Sequence, residues 1–411
     1  MNHPSSLFNL ELSEQFKPTL ERVKCFIAEE IKPRETDYFA SPNTQDRWSL
    51  SDKQAEILGQ LKEKAKTEGL WNFFLPDWNG EGITNLDYAY LAVEMGRCGL
   101  APEVFNCSAP DTGNMEVLHK YGSASQKARW LEPLLKGDIR SCFGMTEPNL
   151  ASSDAKNIAT SAELHDGEWV LNGEKFYISG AGDSRCKIMI CMVQTDPTAD
   201  RNFRQSQILV PMDTPGVEIL EPMQVFGQDD APHGHMHIRL NNVRVPQDNI
   251  ILGPGRGFEI SQGRLGPGRI HHCMRALGQA EEALQMMCRR GLSRNAFGKP
   301  LVKLGGNFDV IAQSRIEIES ARLLVFQAAK AMDVLGTQEA RVYISGIKSL
   351  VPKLTCDIID RAIQMHGAAG VSQWTPLWRM YTNMRTLRLA DGPDEVHRMV
   401  VARAELAKYV Q

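Results

Sequence analysis

Near its C-terminus the chain reads Leu387-Arg388-Leu389-Ala390-Asp391-Gly392-Pro393-Asp394-Glu395-Val396-His397, a short polar connection followed by an amphipathic stretch. Asp391-Gly392 is a turn signal, and Pro393 suits the first position of a helix, where a backbone N–H would lack a partner. The acidic residues Asp394 and Glu395 favour the positive end of that helix. The local sequence leaves two interpretations of Asp391, a carboxylate that caps the helix or a functional acid presented by the loop.

Size and charge exclude several classes of protein. The chain has 411 residues, a formal net charge of -4 and a pI near 6.2, so it lacks the basic surface of a nucleic-acid binder. No apolar run is long enough to predict insertion into a membrane. The nine cysteines are scattered and contain no CxxC pair. This pattern indicates reduced thiols in the cytoplasm, or in the mitochondrial matrix if a presequence has been removed.

The apolar spacing changes twice along the chain and predicts three domains of an α+β protein. Residues 1–139 carry helical periodicity, which predicts an N-terminal all-α domain. From about Arg140 the pattern becomes short alternating runs, which predict a middle domain with an antiparallel sheet or β-barrel over residues 140–255. Residues 256–411 return to long helical patterns joined by short loops and predict a C-terminal four-helix bundle.

Two glycine-containing stretches predict turns within these domains. Asn172-Gly173 lies between the alternating runs 168–171 and 174–179, so it is a strong hairpin signal. Gly266-Pro267-Gly268 predicts a turn immediately before a helix that carries Arg269.

Several stretches carry residue types that suit a cofactor or a substrate. Residues 142–154 are rich in small and hydroxylated side chains, whose donors suit a flat heterocycle or a phosphate. Arg294 could clamp a pyrophosphate while Phe297 packs on an adenosine, and the turn 367–370 permits close approach to a dinucleotide. Arg269 could orient a substrate. The structural alternatives are an ordinary loop, a helix C-cap, a helix stop and a surface arginine.

A run of three histidines raises the question of a metal. His233, His235 and His237 alternate, so on a strand they share one face and could bind a transition metal. No carboxylate or cysteine is placed in the sequence to complete such a site. A face turned to water or to a partner explains the run more simply, and no metal site is predicted.

Five further segments stand out: Met-Thr-Glu-Pro at 145–148, Leu-Asn-Gly-Glu-Lys at 171–175, Val-Arg-Val-Pro at 243–246, Arg-Asn-Ala-Phe-Gly-Lys at 294–299 and Gln-Met-His-Gly-Ala-Ala-Gly at 364–370. In this order and separation they resemble landmarks of the acyl-CoA dehydrogenase family, and the resemblance covers nearly the whole chain. It implies an FAD flavoprotein of fatty-acid β-oxidation that passes electrons to an electron-transfer flavoprotein and forms a homotetramer or homodimer.

Carried over by position, the resemblance implies two sets of contacts. Arg294 and Phe297 would reach the FAD of a neighbouring subunit. The cofactor-binding residues would be Phe143, Met145, Thr146, Ser152, Tyr177, Ile178, Ser179, Arg294, Phe297, Gln364, Gly367, Ala368, Ala369, Gly370, Pro393 and Glu395. The acyl-CoA substrate would contact Ser153, Gly268, Arg269, Ile270, His271 and Gly392.

Asp391 takes the position that a catalytic glutamate occupies in much of this family, where a glycine also follows. Such a base removes the α-proton of the thioester while the β-hydride passes to the flavin, which yields the trans-2-enoyl-CoA. An aspartate is one carbon shorter and reaches about 1.5 Å less far, so the backbone or the substrate must sit differently.

The whole loop around Asp391 resembles the branch of the family whose animal members are fused to kinase-like domains. That resemblance implies medium-chain, long-chain or 4-hydroxylated acyl-CoA substrates. Two alternatives remain open on the sequence: a flavin oxidase on the same scaffold, similar to nitroalkane oxidase, and a flavin-containing binding protein without turnover.

Overall fold

The computed structural model describes residues 5–75 and 82–410. Its N-terminal part is helical up to the first strand, as predicted. Ser51 caps the third helix through a capping box with Gln54, so two backbone donors at that helix start are satisfied. The helices are α1 (Lys17–Phe26), α2 (Lys32–Phe39), α3 (Asp52–Thr67), α4 (Asn85–Gly96), α5 (Ala101–Val104), α6 (Asp111–Tyr121), α7 (Ala124–Gln126) and α8 (Glu132–Lys136).

A sheet of seven strands follows, and it begins at Arg140, where the alternating pattern begins. The strands are β1 (Arg140–Gly144), β2 (Ser161–His165), β3 (Glu168–Ser179), β4 (Cys186–Gln194), β5 (Gln205–Pro211), β6 (Val217–Pro222) and β7 (His235–Pro246). Their order in the sheet is β1-β4-β2-β3-β7-β6, and β5 pairs with β4. The pairing is antiparallel except for β1 on β4 and a single pair of β2 with β4.

The hairpin predicted at Asn172-Gly173 is wrong, because β3 runs through this dipeptide without a turn. The pairing of β3 with β7 shifts register between Leu171 and Gly173, as a β-bulge does. A Cβ on Gly173 would lie 2.6 Å from the hydroxyl of Thr160, so the glycine allows a neighbouring segment to approach. The turn between β2 and β3 lies at Asp166-Gly167, where both residues have positive φ.

The C-terminal part contains long helices and one small hairpin. The predicted turn at Gly266-Pro267-Gly268 is wrong, because these residues lie inside the first of the long helices. A side chain on Gly266 would collide with Thr337, so glycine serves packing there. The elements are α9 (Gly257–Ser293), β8 (Asn295–Ala296), β9 (Lys299–Pro300), α10 (Asn307–Leu335), α11 (Arg341–His366), α12 (Leu377–Leu387) and α13 (Asp394–Leu406).

The order of helices, sheet and helices confirms the predicted fold class. The chain forms two compact units, each with an apolar core. Unit 1 comprises the described residues of Met1–Glu35, Phe73–Pro102 and Gly266–Gln411, and unit 2 comprises Thr36–Asn72 and Glu103–Leu265. Among residues 5–75 and 82–410, no helix has the length and the apolar character needed to cross a membrane.

Candidate functional site

Asp391 lies in unit 1, in the loop between α12 and α13. Its φ of 55° is in the left-handed region, which non-glycine residues seldom adopt. Helix α13 begins at Asp394, and the N-cap position belongs to Pro393, which makes no side-chain capping hydrogen bond. The capping interpretation of Asp391 is therefore wrong, and so is the placement of Pro393 in the first helical position. The Asp391 side chain is 20% exposed.

A buried lysine holds the backbone of this loop. Lys348 on α11 is fully buried and donates hydrogen bonds to the carbonyl oxygens of Leu387 (2.7 Å), Ala390 (2.9 Å) and Gly392 (3.3 Å). Burial lowers the pKa of the Lys348 ammonium. One ammonium thus satisfies carbonyls on both sides of Asp391, including one at the end of α12 that has no helical donor.

Two further side chains bind the carbonyl oxygen of Asp391 itself. Arg269 Nε donates to it at 2.9 Å, and His397 Nε2 lies 3.2 Å from it. Burial lowers the pKa of His397 to about 4, so the imidazole is neutral at pH 7 and donates through Nε2–H. Gly392 follows with a φ of 100°, and a Cβ there would lie 3.0 Å from His397 Nε2. The loop therefore requires glycine next to Asp391.

The side chain of Asp391 faces the N-terminal half of α9. Its Oδ2 atom lies 3.4 Å from Nε2 of His272, and a Cβ on Gly268 would lie 3.5 Å from the same oxygen. The predicted residues Ile270 and His271 are buried instead, with His271 packed edge-on against Tyr88 at 4.7 Å between ring centroids. The structure thus brings Gly268, Arg269 and Gly392 to Asp391 and adds His272, which the sequence analysis did not select.

In unit 2, a buried ion pair anchors the segment that follows β1. Glu147 and Lys175 are 2.7 Å apart, and Lys175 also donates to the carbonyl oxygens of Met145 and Met192. Glu147 accepts hydrogen bonds from Ala159 and from both the backbone and the hydroxyl of Thr160. Burial opposes ionisation of Glu147, but Lys175 and these hydrogen bonds outweigh burial and lower its pKa.

The predicted flavin residues lie around this anchor. The N–H of Phe176 donates to the carbonyl oxygen of Thr146, and Ser152 Oγ accepts from the N–H of Glu147 at 2.9 Å. Tyr177 has a φ of 56° and a ring that is 42% exposed, while Ile178 is buried. An exposed aromatic ring with hydroxyl groups nearby fits a flat heterocycle with polar edges. The side chains present in unit 2 thus fit a flavin.

Two predicted flavin residues of unit 2 contact side chains that the sequence analysis did not assign to this site: Phe143 contacts Arg264, and Ser179 contacts His235. The guanidinium carbon of Arg264 lies 3.9 Å from the ring centroid of Phe143, and Arg264 Nε donates to Asn114 Oδ1 at 3.3 Å. A Cβ on Gly113 would lie 3.1 Å from this guanidinium, so the glycine makes room for it. Ser179 Oγ forms a hydrogen bond of 2.8 Å with Nδ1 of His235.

The remaining predicted cofactor residues lie at the ends of the long helices in unit 1. Helix α9 ends at Ser293, and Phe297 and Gly298 form the turn between β8 and β9, so the helix C-cap that was the structural alternative for this stretch is wrong. Phe297 is 94% exposed at this turn. Gly370 is buried, and the other predicted residues of unit 1 are exposed or partly exposed: Arg294, Gln364, Gly367, Ala368, Ala369, Pro393 and Glu395. Ser153, which was predicted to contact the substrate, is exposed in unit 2, in the loop after β1.

Two of the three alternating histidines contact separate side chains. His235 contacts Ser179, and His237 Nε2 lies 3.0 Å from Glu174. Burial lowers the pKa of His233 to about 3, so this imidazole is neutral at pH 7. Among residues 5–75 and 82–410, no three histidine, cysteine or acidic side chains are grouped as a metal site would require.

Three family models match the chain in succession. They describe the N-terminal domain (13–138), the middle domain (142–243) and the C-terminal domain (255–406) of acyl-CoA dehydrogenases. Acyl-CoA dehydrogenase family member 11 from Homo sapiens is 53% identical over 393 residues, which cover 94% of this chain and 50% of that protein. Family member 10 from Mus musculus is 53% identical over 96% of this chain and 37% of its own length. The chain thus spans about half, or less than half, of the length of these two curated relatives.

Solved structures give the same result. One from Mycobacterium abscessus, described as an acyl-CoA dehydrogenase, is 51% identical with a TM-score of 0.94 and covers 97% of this chain and 100% of its own. Butyryl-CoA dehydrogenase from Megasphaera elsdenii is 25% identical with a TM-score of 0.78, over 96% of this chain and 99% of its own.

Proposed function

This chain belongs to the acyl-CoA dehydrogenase family, whose members depend on FAD, and from that premise we propose that it oxidises an acyl-CoA thioester to the trans-2-enoyl-CoA. The observation that carries the proposal is the loop of Asp391. Three basic side chains from α9, α11 and α13 fix its backbone in a conformation that residues other than glycine seldom adopt. Strain that the surrounding structure maintains in this way is typical of functional sites.

Asp391 is the general base in this proposal. Its carboxylate accepts the proton on the carbon next to the thioester carbonyl, so the α C–H bond breaks and an O–H bond forms. The bound FAD supplies the acceptor for the hydride of the β-carbon. Arg269 and Gly268 position the base and line the approach to it, because both lie against Asp391.

The flavin would be held by the predicted residues of unit 2. The Glu147–Lys175 pair fixes the carbonyl of Met145, next to Thr146. Ser152 accepts from a backbone N–H, so its own hydrogen is available to donate to an oxygen of the cofactor. Tyr177 offers its exposed ring to a flat surface.

The exposed residues at the helix ends suit contacts with a second copy of the chain. Phe297 is almost fully exposed, so its ring is available to pack against another chain. Together with Arg294, Gln364 and the turn 367–370, it would contact FAD bound to a neighbouring subunit of a dimer or tetramer. Electrons would leave to an electron-transfer flavoprotein.

The substrate is a medium-chain, long-chain or 4-hydroxylated acyl-CoA in this proposal. The experiment is an anaerobic titration of the purified holoenzyme with acyl-CoAs of increasing length, with and without a 4-hydroxyl group, while flavin absorbance is recorded. We expect bleaching with at least one of these thioesters. A flavin that stays oxidised with all of them would refute the proposed activity.

The variant Asp391→Asn tests the base. We expect it to retain flavin and to bind acyl-CoA, while flavin reduction slows by roughly 10²- to 10⁴-fold, the usual contribution of a general base. Asp357→Asn is the matched control, because Asp357 is an exposed carboxylate paired with Lys353. Undiminished bleaching in the Asp391 variant would refute the assignment of the base.

A flavin oxidase on the same scaffold is the second candidate function, and the aspartate at the position of the base favours it. An oxidase would react rapidly with oxygen and would ignore CoA thioesters. Stopped-flow mixing of the reduced protein with air-saturated buffer separates the two, because the dehydrogenase should reoxidise slowly.

A further inference from the structure

We propose that His272 is a positioning residue that holds Oδ2 of Asp391 with a neutral Nε2–H donor, and that Arg275 sets this tautomer. The inference rests on the proposed role of Asp391 as the base. Gly268, His272 and Arg275 follow one another at intervals of four and three residues, so they share one face of α9. Gly268 and His272 both lie against the Asp391 carboxylate.

The hydrogen-bond chemistry of arginine determines the tautomer. Arg275 Nη2 lies 3.4 Å from Nδ1 of His272. A guanidinium is always protonated and only donates, so Nδ1 of His272 must accept. In a neutral imidazole the hydrogen is then on Nε2, the atom that lies 3.4 Å from Asp391 Oδ2. The hydrogen bonds therefore run in one direction, from Arg275 to Nδ1 of His272 and from Nε2–H of His272 to Asp391.

The charges around His272 favour the neutral ring. Burial lowers its pKa, Asp391 opposes this effect, and Arg275 and Lys348 add to it. His271 and Cys273 are further titratable neighbours on α9, and burial lowers the pKa of the His271 imidazole well below its usual value and raises the pKa of the Cys273 thiol. A neutral His272 that already carries a hydrogen on Nε2, with Nδ1 facing Arg275, cannot take a proton from Asp391. The substrate proton thus stays on Asp391, and His272 acts through that carboxylate.

The helix that carries this group is fixed against α4. A Cβ on Gly96 would lie 2.1 Å from the carbonyl oxygen of Arg275, and a Cβ on Gly278 would lie 2.0 Å from that of Val93. Neither position accepts a side chain without separating the two helices. This close backbone contact fixes the position of α9 along α4, so His272 and Arg275 are held in place and the Nε2–H of His272 is presented to Asp391 from a rigid helix.

A donor to the carboxylate stabilises its ionised form, so the loss of the donor should raise the pKa of the base. We expect His272→Leu to move the acid limb of the pH profile of flavin reduction upward by about 0.5 to 1 pH unit, the equivalent of one neutral hydrogen bond. His272→Gln should restore the wild-type limb, because the glutamine amide places a non-titrating N–H where Nε2 lies. An unmoved limb in His272→Leu, or no restoration by glutamine, would overturn the proposal.

A second measurement does not depend on turnover. In ¹⁵N-histidine spectra of the holoenzyme, the resonance that disappears in His272→Gln should show the Nε2–H tautomer at pH 7. An Nδ1–H tautomer or an imidazolium there would overturn the proposal. This outcome can be distinguished from a failure of the proposed function. An Asp391→Asn protein that still reduces its flavin would refute the assignment of Asp391 as the base, whereas a wild-type pH profile of flavin reduction in His272→Leu would refute only the role of His272.

Discussion

The replacement Lys348→Met tests how far the loop of Asp391 depends on one buried cation. Methionine has nearly the length of lysine and no donor, so three carbonyl groups lose their partner. Two of these hydrogen bonds have normal distances, 2.7 and 2.9 Å, and the third, at 3.3 Å, is long. The two normal bonds to a charged donor contribute about 3 to 6 kcal/mol together.

Part of that contribution is offset in the wild type, because burial of the ammonium costs free energy, as the lowered pKa of Lys348 shows. A net loss of about 2 to 4 kcal/mol of unfolding free energy is therefore expected. The rate of flavin reduction should fall further, since a displacement of about 1 Å at a catalytic group can cost about 100-fold. Lys348→Arg should not rescue either property, because a planar guanidinium cannot replace a compact ammonium among three carbonyls.

The assay for Lys348→Met is thermal unfolding together with anaerobic reduction of the flavin by acyl-CoA. Lys353→Met is the control on the same helix, because Lys353 is half exposed and pairs with Asp357 at the surface. Its effect on stability should stay within about 0.5 kcal/mol. A Lys348→Met protein that unfolds and reduces its flavin like the wild type would show that the loop holds its conformation without the ammonium.

Three other predictions concern the anchor of unit 2 and the glycine after the base. Lys175→Met should destabilise the protein by about 3 to 5 kcal/mol and weaken retention of FAD, because Glu147 keeps a buried charge without its partner. Adding Glu147→Gln should recover part of both losses, as measured by thermal unfolding and flavin absorbance. The folded-state pKa of Glu147 is lowered, so its contribution to stability is present above the ordinary carboxyl pKa of about 4.3 and is lost as the pH falls below that value. Urea unfolding of Glu147→Gln should therefore show a shallower loss of stability below about pH 5 than the wild type does. Gly392→Ala should slow flavin reduction and lower the free energy of unfolding by about 1 to 3 kcal/mol, because the new methyl group meets His397 at a residue with positive φ. The control Gly59→Ala, at an open position of α3, should leave the stability measured by calorimetry unchanged or slightly raised.

Local patterns were sufficient for the order of helices and strands, because the period of apolar residues follows from which face of each element is buried. The start of the sheet at Arg140 was predictable from the change in apolar spacing. Asn172-Gly173 misled the prediction, since its glycine serves a contact with Thr160 rather than a reversal of the chain. Such a close approach between segments leaves no mark in the sequence on either side of it.

The site was predictable where a motif carried it and unpredictable where tertiary contacts made it. Asp391 and Arg269 belonged to recognisable stretches, whereas Lys348 binds carbonyls that lie 39 to 44 residues further along the chain. One signal was nevertheless available, because Lys348 lies between Ile344 and Val351 on the buried face of α11. A lone lysine on an apolar helical face indicates a buried cation with a specific task.

The left-handed backbone of Asp391 links the identity of the proposed base to the shape of its loop. Among non-glycine residues, aspartate and asparagine enter this region most readily, because their short polar side chains bond locally, whereas glutamate enters it less readily. A designer who lengthens this side chain to gain reach must therefore also rebuild the turn that presents it. The length of the side chain at position 391 and the conformation of the turn therefore depend on each other, and changing one requires changing the other.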